Sequence, residues 1–150
     1  MNTYPGNLPT QTHVNRGIIF SPVVHPPVLD RLNRLSSVKL STRIELYKRL
    51  RLATEYVHDH LHLNLDLDTI AEAACLSKFH FIRIFKEAYD QTPRQYIISK
   101  RLEKARELLI DSDRSFCEIC QEVGLKDAST FGRLFKKTYG TTPGKYREMA

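Results

Sequence analysis

Two stretches of this 150-residue chain repeat one pattern in the same order. The later one, Ser115 to Arg147, reads SFCEICQEVGLKDASTFGRLFKKTYGTTPGKYR, and the earlier one, Leu67 to Tyr96, reads LDTIAEAACLSKFHFIRIFKEAYDQTPRQY. Up to a turn the offset is 49, pairing Ile70, Ala71 and Leu76 with Ile119, Cys120 and Leu125. Beyond it the offset is 50, pairing Phe81, Arg83, Phe85, Lys86 and Tyr89 with Phe131, Arg133, Phe135, Lys136 and Tyr139, then Thr92, Pro93 and Tyr96 with Thr142, Pro143 and Tyr146. Each copy orders a short amphipathic segment, a turn, a second segment with basic residues near its end, and a Thr-Pro restart. That is the grammar of a helix-turn-helix, in which one helix buttresses another that enters a groove. Stating it twice makes two copies of one unit the main constraint on the fold.

The material around the repeat narrows the class. A formal charge of +6 favours an anionic partner, but residues 1–40 hold four bases and one acid, so the rest is only mildly basic and any DNA face must come from placement of charge. No apolar run approaches the ~20 residues of a membrane span, and no charged-then-apolar leader opens the sequence, so the expected location is cytoplasmic. Cys75, Cys117 and Cys120 include a CxxC, yet no second pair or nearby histidine completes four zinc ligands, so these read as packed or half-buried thiols. His58, His60 and His62 read as exposed histidines at a helix end. With no nucleophile, base and acid set, no enzyme is expected, nor any cofactor or metal.

Taken in order, residues 1–40 carry Pro5, Pro9, Pro22, Pro26 and Pro27 and read as an extended or partly disordered arm. Within it Gly17-Ile18-Ile19-Phe20 suggests a brief strand or a hook onto the body, while the arm's basic residues are scattered. Residues 41–150 are the helical domain. A first helix is expected at about 42–60, packing through Ile44, Tyr47, Leu50, Leu52, Tyr56, Val57 and Leu61. The first helix-turn-helix is expected at about 66–90, with Asp66 and Ser77 as N-caps. Thr92, Pro93 and Gln95 spell a capping box with proline at the first helical position, and open a long helix at about 93–111. Its 19 residues span about 29 Å at 1.5 Å per residue, close to the roughly 34–36 Å of one DNA turn. The second helix-turn-helix is expected at about 115–140, with Ser115 and Glu118 as a capping box and Gly124 at a left-handed helix exit.

Chemistry follows from the faces left over. Phe131, Leu134 and Phe135 point inward, leaving Ala128, Ser129, Thr130, Arg133, Lys136 and Lys137. Hydroxyls and small side chains near the start of a helix can approach base edges, and the Arg133 fork matches guanine O6 and N7. On the earlier copy the leftover surface is Lys78, Phe79, His80, Ile82 and Arg83. Arg83 takes the matching arginine role, while Ile82 is open to either a thymine-methyl contact or local packing. Lys78, Lys86, Lys136 and Lys137 suit phosphates better than bases, and Arg147 is expected to reach a phosphate or form a local salt bridge. Phe85 and Phe135 belong to the core by spacing.

The ordered set Ile119, Cys120, Val123, Gly124, Leu125, Ser129, Phe131, Arg133, Phe135, Lys136, Lys137, Gly140, Thr142, Pro143, Tyr146 and Arg147 resembles the DNA-binding domain of the AraC/XylS family of bacterial transcription regulators, over about residues 43–149. The resemblance implies an all-α, seven-helix domain with two helix-turn-helix units joined by a long linking helix and entering adjacent major grooves of double-stranded DNA. It maps base reading onto Phe79, Ile82 and Arg83 in the first unit, and onto Ala128, Ser129, Thr130 and Arg133 in the second. Cys120, Leu125 and Asp90 replace the family's usual alanine, phenylalanine and glycine, and Ile82 stands where a polar reader is common. Many members place a metabolite-binding barrel ahead of this domain; forty proline-rich residues are too few for one. No small-molecule effector is therefore expected, and RNA polymerase or a separate regulatory protein are the candidate partners. The competing reading is a protein-interaction or anti-regulator module that keeps the fold without specific DNA binding.

Overall fold

The aromatic residues of the repeat decide how the chain packs. In a computed structural model, which describes residues 28–37 and 39–149, eight helices follow one another: α1 (Val28–Arg34), α2 (Leu40–Asp59), α3 (Leu67–Ala73), α4 (Lys78–Tyr89), α5 (Pro93–Asp111), α6 (Phe116–Glu122), α7 (Ala128–Tyr139) and α8 (Pro143–Met149). The architecture is all-α, with no strand among the described residues. Two cores form rather than one. The first gathers residues from α1 to α4 and reaches α5 through Tyr96 and Ile97. The second begins at Leu102 on the same helix and takes in Ala105 and Leu109 with Ile119, Val123, Phe131 and Phe135.

The repeat is physical as well as textual. Phe81 lies 5.3 Å from Phe85, and Phe85 lies 4.4 Å from Tyr89 and 5.3 Å from Tyr96. Their counterparts reproduce this, with Phe131 5.4 Å from Phe135, and Phe135 4.5 Å from Tyr139 and 5.3 Å from Tyr146. All four phenylalanines are fully buried. Each is worth about 1.5–3 kcal/mol in transfer alone, so the ring cluster holds the second helix of each unit against the helix that follows.

Local chemistry sets the boundaries. Thr92 and Gln95 form the capping box of α5, and Ser115 and Glu118 that of α6, each joining cap hydroxyl to N3 amide and N3 side chain to cap amide. Hydrogen bonds from Ser115 hold the Glu118 carboxyl below its ordinary pKa. Asp66 caps α3 by accepting from the Asp68 amide at 3.2 Å.

Two expectations need correction. The eighth helix, α1, comes from the end of the supposed arm: Leu32 and Leu35 at i and i+3 are buried against α2 and α4. A short apolar stripe with a place in the core outweighs the nearby prolines. The hook at residues 17–20 lies outside the described residues. On α2, Ile44 and Leu52 are exposed, and the buried positions are Tyr47, Leu50, Ala53, Thr54 and Val57. These five positions form one stripe at helical spacing, and Ile44 and Leu52 fall off it.

Candidate nucleic-acid interface

The second helix of each unit, α4 or α7, carries the residues expected to meet DNA. On α7 the N-cap is Asp127, whose carboxylate accepts from the Thr130 amide at 2.7 Å and from the Thr130 hydroxyl at 3.0 Å. These bonds hold the Asp127 carboxyl below its ordinary pKa. They also occupy the Thr130 hydroxyl proton, on a residue that is half-buried. Ala128, Ser129 and Arg133 are exposed on the same helix, together with Lys136 and Lys137 in its last turn. Arg133, Lys136 and Lys137 make no ion pair among the described residues.

The α4 surface differs at nearly every matching position. Ser77 sits at its N-cap but its hydroxyl makes no capping bond. Lys78 bonds Asp68 at 2.7 Å, which raises its pKa, and Arg83 pairs with Glu87 at 3.3 Å. Phe79 stands 86% exposed at the helix start, where α7 has Ser129. Ile82 is half-buried and packs against the first core, where α7 has Gly132 with open space around it. Lys86 is exposed, as Lys136 is.

Glu87 also accepts from the Ser36 amide at 3.2 Å, Asp90 pairs with Arg34 at 3.5 Å, and the Arg31 guanidinium lies 4.6 Å above the Tyr89 ring. The end of α4 is thus the seat of α1. At the position of Glu87, α7 carries Lys137.

Arg147 is not placed as expected. Its Nε donates to the Leu109 carbonyl at 3.3 Å and its Nη2 to the Arg114 carbonyl at 2.6 Å, and the guanidinium lies 4.9 Å above the Phe116 ring. It satisfies carbonyls at and beyond the end of α5 and ties α8 to that corner, the role a cation takes at a helix C-terminus. Arg101, which no helical period singles out, does the like in the first half: Nε donates to Leu61 O at 3.1 Å and Nη2 to Leu63 O at 2.7 Å. Burial lowers its pKa.

The histidine run disperses rather than converging. His58 bonds the Tyr96 hydroxyl at 3.1 Å, and His60 meets the Tyr56 carbonyl at 2.8 Å. Cys75 and Cys117 are exposed free thiols; Cys120 is buried, which raises its pKa. No group of three or more metal-ligating side chains gathers among the described residues, and no described helix is long and apolar enough to cross a membrane.

Comparison with known proteins agrees with this geometry. A family model described as a helix-turn-helix domain matches residues 70–149. The chain is 40% identical over 93 residues to the MmsAB operon regulatory protein of Pseudomonas aeruginosa, covering 62% of this chain and 30% of that one. It is 40% identical over 82 residues to the probable transcription factor PqrA of Proteus vulgaris, covering 55% and 67%. Its fold is similar to the DNA-binding domain of AdpA solved with a target DNA, at a TM-score of 0.64 and 29% identity over 67% of this chain and 91% of that one. It is also similar to the C-terminal domain of AraT, a response regulator of Geobacillus stearothermophilus, at a TM-score of 0.66 and 29% identity over 70% and 88%. The chain spans 30% of the first of these relatives, so the resemblance to it concerns one part of a longer protein.

Proposed function

The chain belongs to the AraC-type helix-turn-helix family, and from that premise we propose that it regulates transcription by reading two adjacent major-groove segments of duplex DNA, one with α4 and one with α7. The observation that carries the reading is the exposed cationic face of α7, unpaired among the described residues: Arg133 beside Ala128 and Ser129, with Lys136 and Lys137 behind. Arg133 reads a guanine, Ser129 and the Thr130 methyl contact neighbouring bases, and the lysines set the helix on phosphates. On α4, Phe79 and Arg83 face the second segment and Ile82 supplies an apolar edge beside them; Lys78 and Lys86 lie toward the backbone. Arg147, held by the carbonyls of Leu109 and Arg114, is left out of the proposed contact.

Support comes from AdpA, whose DNA-binding domain shares this fold and was solved on a target DNA. Relatives named as operon regulators point the same way, among them the xylose operon regulatory protein of Escherichia coli, 35% identical over 97 residues. RNA polymerase or a separate regulatory protein would be the partner through which DNA binding acts. The self-paired Lys78 and Arg83 of α4 favour an interaction module, but Arg133, Lys136 and Lys137 of α7, unpaired among the described residues, favour DNA.

Selection from random duplex DNA at about 0.15 M salt tests the proposal. The expected product is a bipartite site of roughly 16–20 base pairs, with two elements about one helical turn apart. No enrichment over nonspecific binding would overturn it.

A further inference from the structure

Two reading helices on one chain select a bipartite site only if their separation and relative rotation are held. The linking helix α5 does not secure this alone, because the first core grips it through a single turn, Tyr96 and Ile97. One turn further on, Arg101 reaches back with its fork to two carbonyls of the segment joining α2 to α3, Leu61 and Leu63. Directly against that segment lies Gly124, the turn of the second unit. A Cβ at Gly124 would fall well inside contact distance of Leu61 O, 3.0 Å from Arg101 Nη2 and 3.1 Å from the His62 carbonyl carbon.

The chain contains its own control for this glycine. The matching turn of the first unit carries Cys75, with φ 53° and an exposed side chain. The turn therefore accepts a residue with a Cβ, at some strain. What demands glycine at 124, beyond its φ of 72°, is the space taken by the other unit.

The geometry points to Arg101 and Gly124 as an inter-unit latch, in which the arginine holds the 61–63 segment in place and the bare turn seats on it, so that the pair sets the spacing between DNA elements that the protein accepts. Arg101 is a positioning residue: it sets which spacing is read without touching a base. The inference rests on the two-segment DNA reading proposed above.

Native thiols make the test direct. Cys75 lies in one unit and Cys117 in the other, both exposed, while buried Cys120 can be replaced by alanine, the residue at its counterpart Ala71. Nitroxide labels on Cys75 and Cys117 in Cys120→Ala protein, without DNA, should give a narrow distance distribution by pulsed electron resonance. Arg101→Met, which keeps the stem and removes the fork, should broaden it, and Arg101→Lys should fall between. Gly124→Ala provides a second route to the same broadening. On DNA, moving the two elements two base pairs from the selected spacing should cost the unmutated protein roughly tenfold in affinity as simultaneous engagement is lost, and Arg101→Met should shrink that ratio to about two. An Arg101→Met protein of unchanged helix content that keeps both the narrow distribution and the spacing ratio overturns the latch. So does equal weakening of all spacings, which would make Arg101 a purely local support. If Arg101→Met does not fold, the same two outcomes are read from Gly124→Ala. The label measurement needs no DNA, so a protein that selects no bipartite site overturns the proposed function and leaves the mechanical result standing separately.

Discussion

Helices α4 and α7 are built on the same register of aromatics, yet they hold their charges differently. In α4 the residue four positions after the central arginine is Glu87, and it pairs with Arg83; in α7 that position is Lys137, and Arg133 remains unpaired among the described residues. At the helix start, Lys78 is tied to Asp68 while Ala128 and Ser129 leave the surface open. The cap differs too, with Asp127 bonded to Thr130 and Ser77 unbonded. Both left-handed positions of the second unit are glycines, Gly124 and Gly140, whereas the first unit places Cys75 and Asp90 there. One helix is prepared for an anionic surface; the other gives part of that readiness to seating α1. The packing frame and the reading surface therefore vary independently, since the frame needs four inward rings and leaves the outward positions free.

The comparison can be broken most forcefully at the central arginines. Arg133→Ala should weaken binding to the selected site by roughly 10–100-fold and relax one base position, since a bidentate guanine contact is worth about 1–3 kcal/mol. Arg83→Ala should cost about threefold, because Arg83 must first leave Glu87. Affinity titrations on the selected site and its single-base variants measure both, and equal losses from the two substitutions would remove the asymmetry. Exchanging the turn residues probes the frame itself. Gly124→Ala should lower unfolding stability by about 2–3 kcal/mol through strain and overlap, whereas Cys75→Gly should raise it by about 0.5–1 kcal/mol by relieving a left-handed non-glycine. Urea titration reads both signs. Lys136→Ala should weaken all sequences alike and flatten the slope of log affinity against log salt by about 0.9, the signature of one lost phosphate contact. The smallest effect belongs to Glu87→Gln, which keeps an acceptor for the Ser36 amide while freeing Arg83. It should tighten binding about twofold, whereas unchanged affinity would mean that the Arg83–Glu87 pair does not hold Arg83 back.

Periodicity and caps made most of the frame legible. The spacing of Phe81 to Phe85, and of Phe131 to Phe135, allows one inward face, and Thr92 with Gln95 or Ser115 with Glu118 mark helix starts that the structure reproduces. Features set by distant partners were not legible. Arg101 and Arg147 look like surface cations, because the carbonyls they satisfy lie 33 to 40 residues away. The Lys78–Asp68 pair spans ten residues across a turn, and no helical period joins them. The Arg83–Glu87 pair was readable as an i,i+4 match, and Leu32 with Leu35 and Asp30 with Arg34 were the signs of α1 after the prolines. Ile44 and Leu52 fit a helical period, but periodicity does not say which side of a helix its neighbours cover.

One chain with two readers, each answering for its own stretch of DNA, is tested most directly by repeating the random-site selection with Arg133→Ala and Arg83→Ala proteins beside the unmutated one. The expected result is that each substitution blurs base preference in one element only, the two blurred positions lying about one helical turn apart, with the sharper loss under Arg133. Blurring of the same element by both, or of neither, would contradict it.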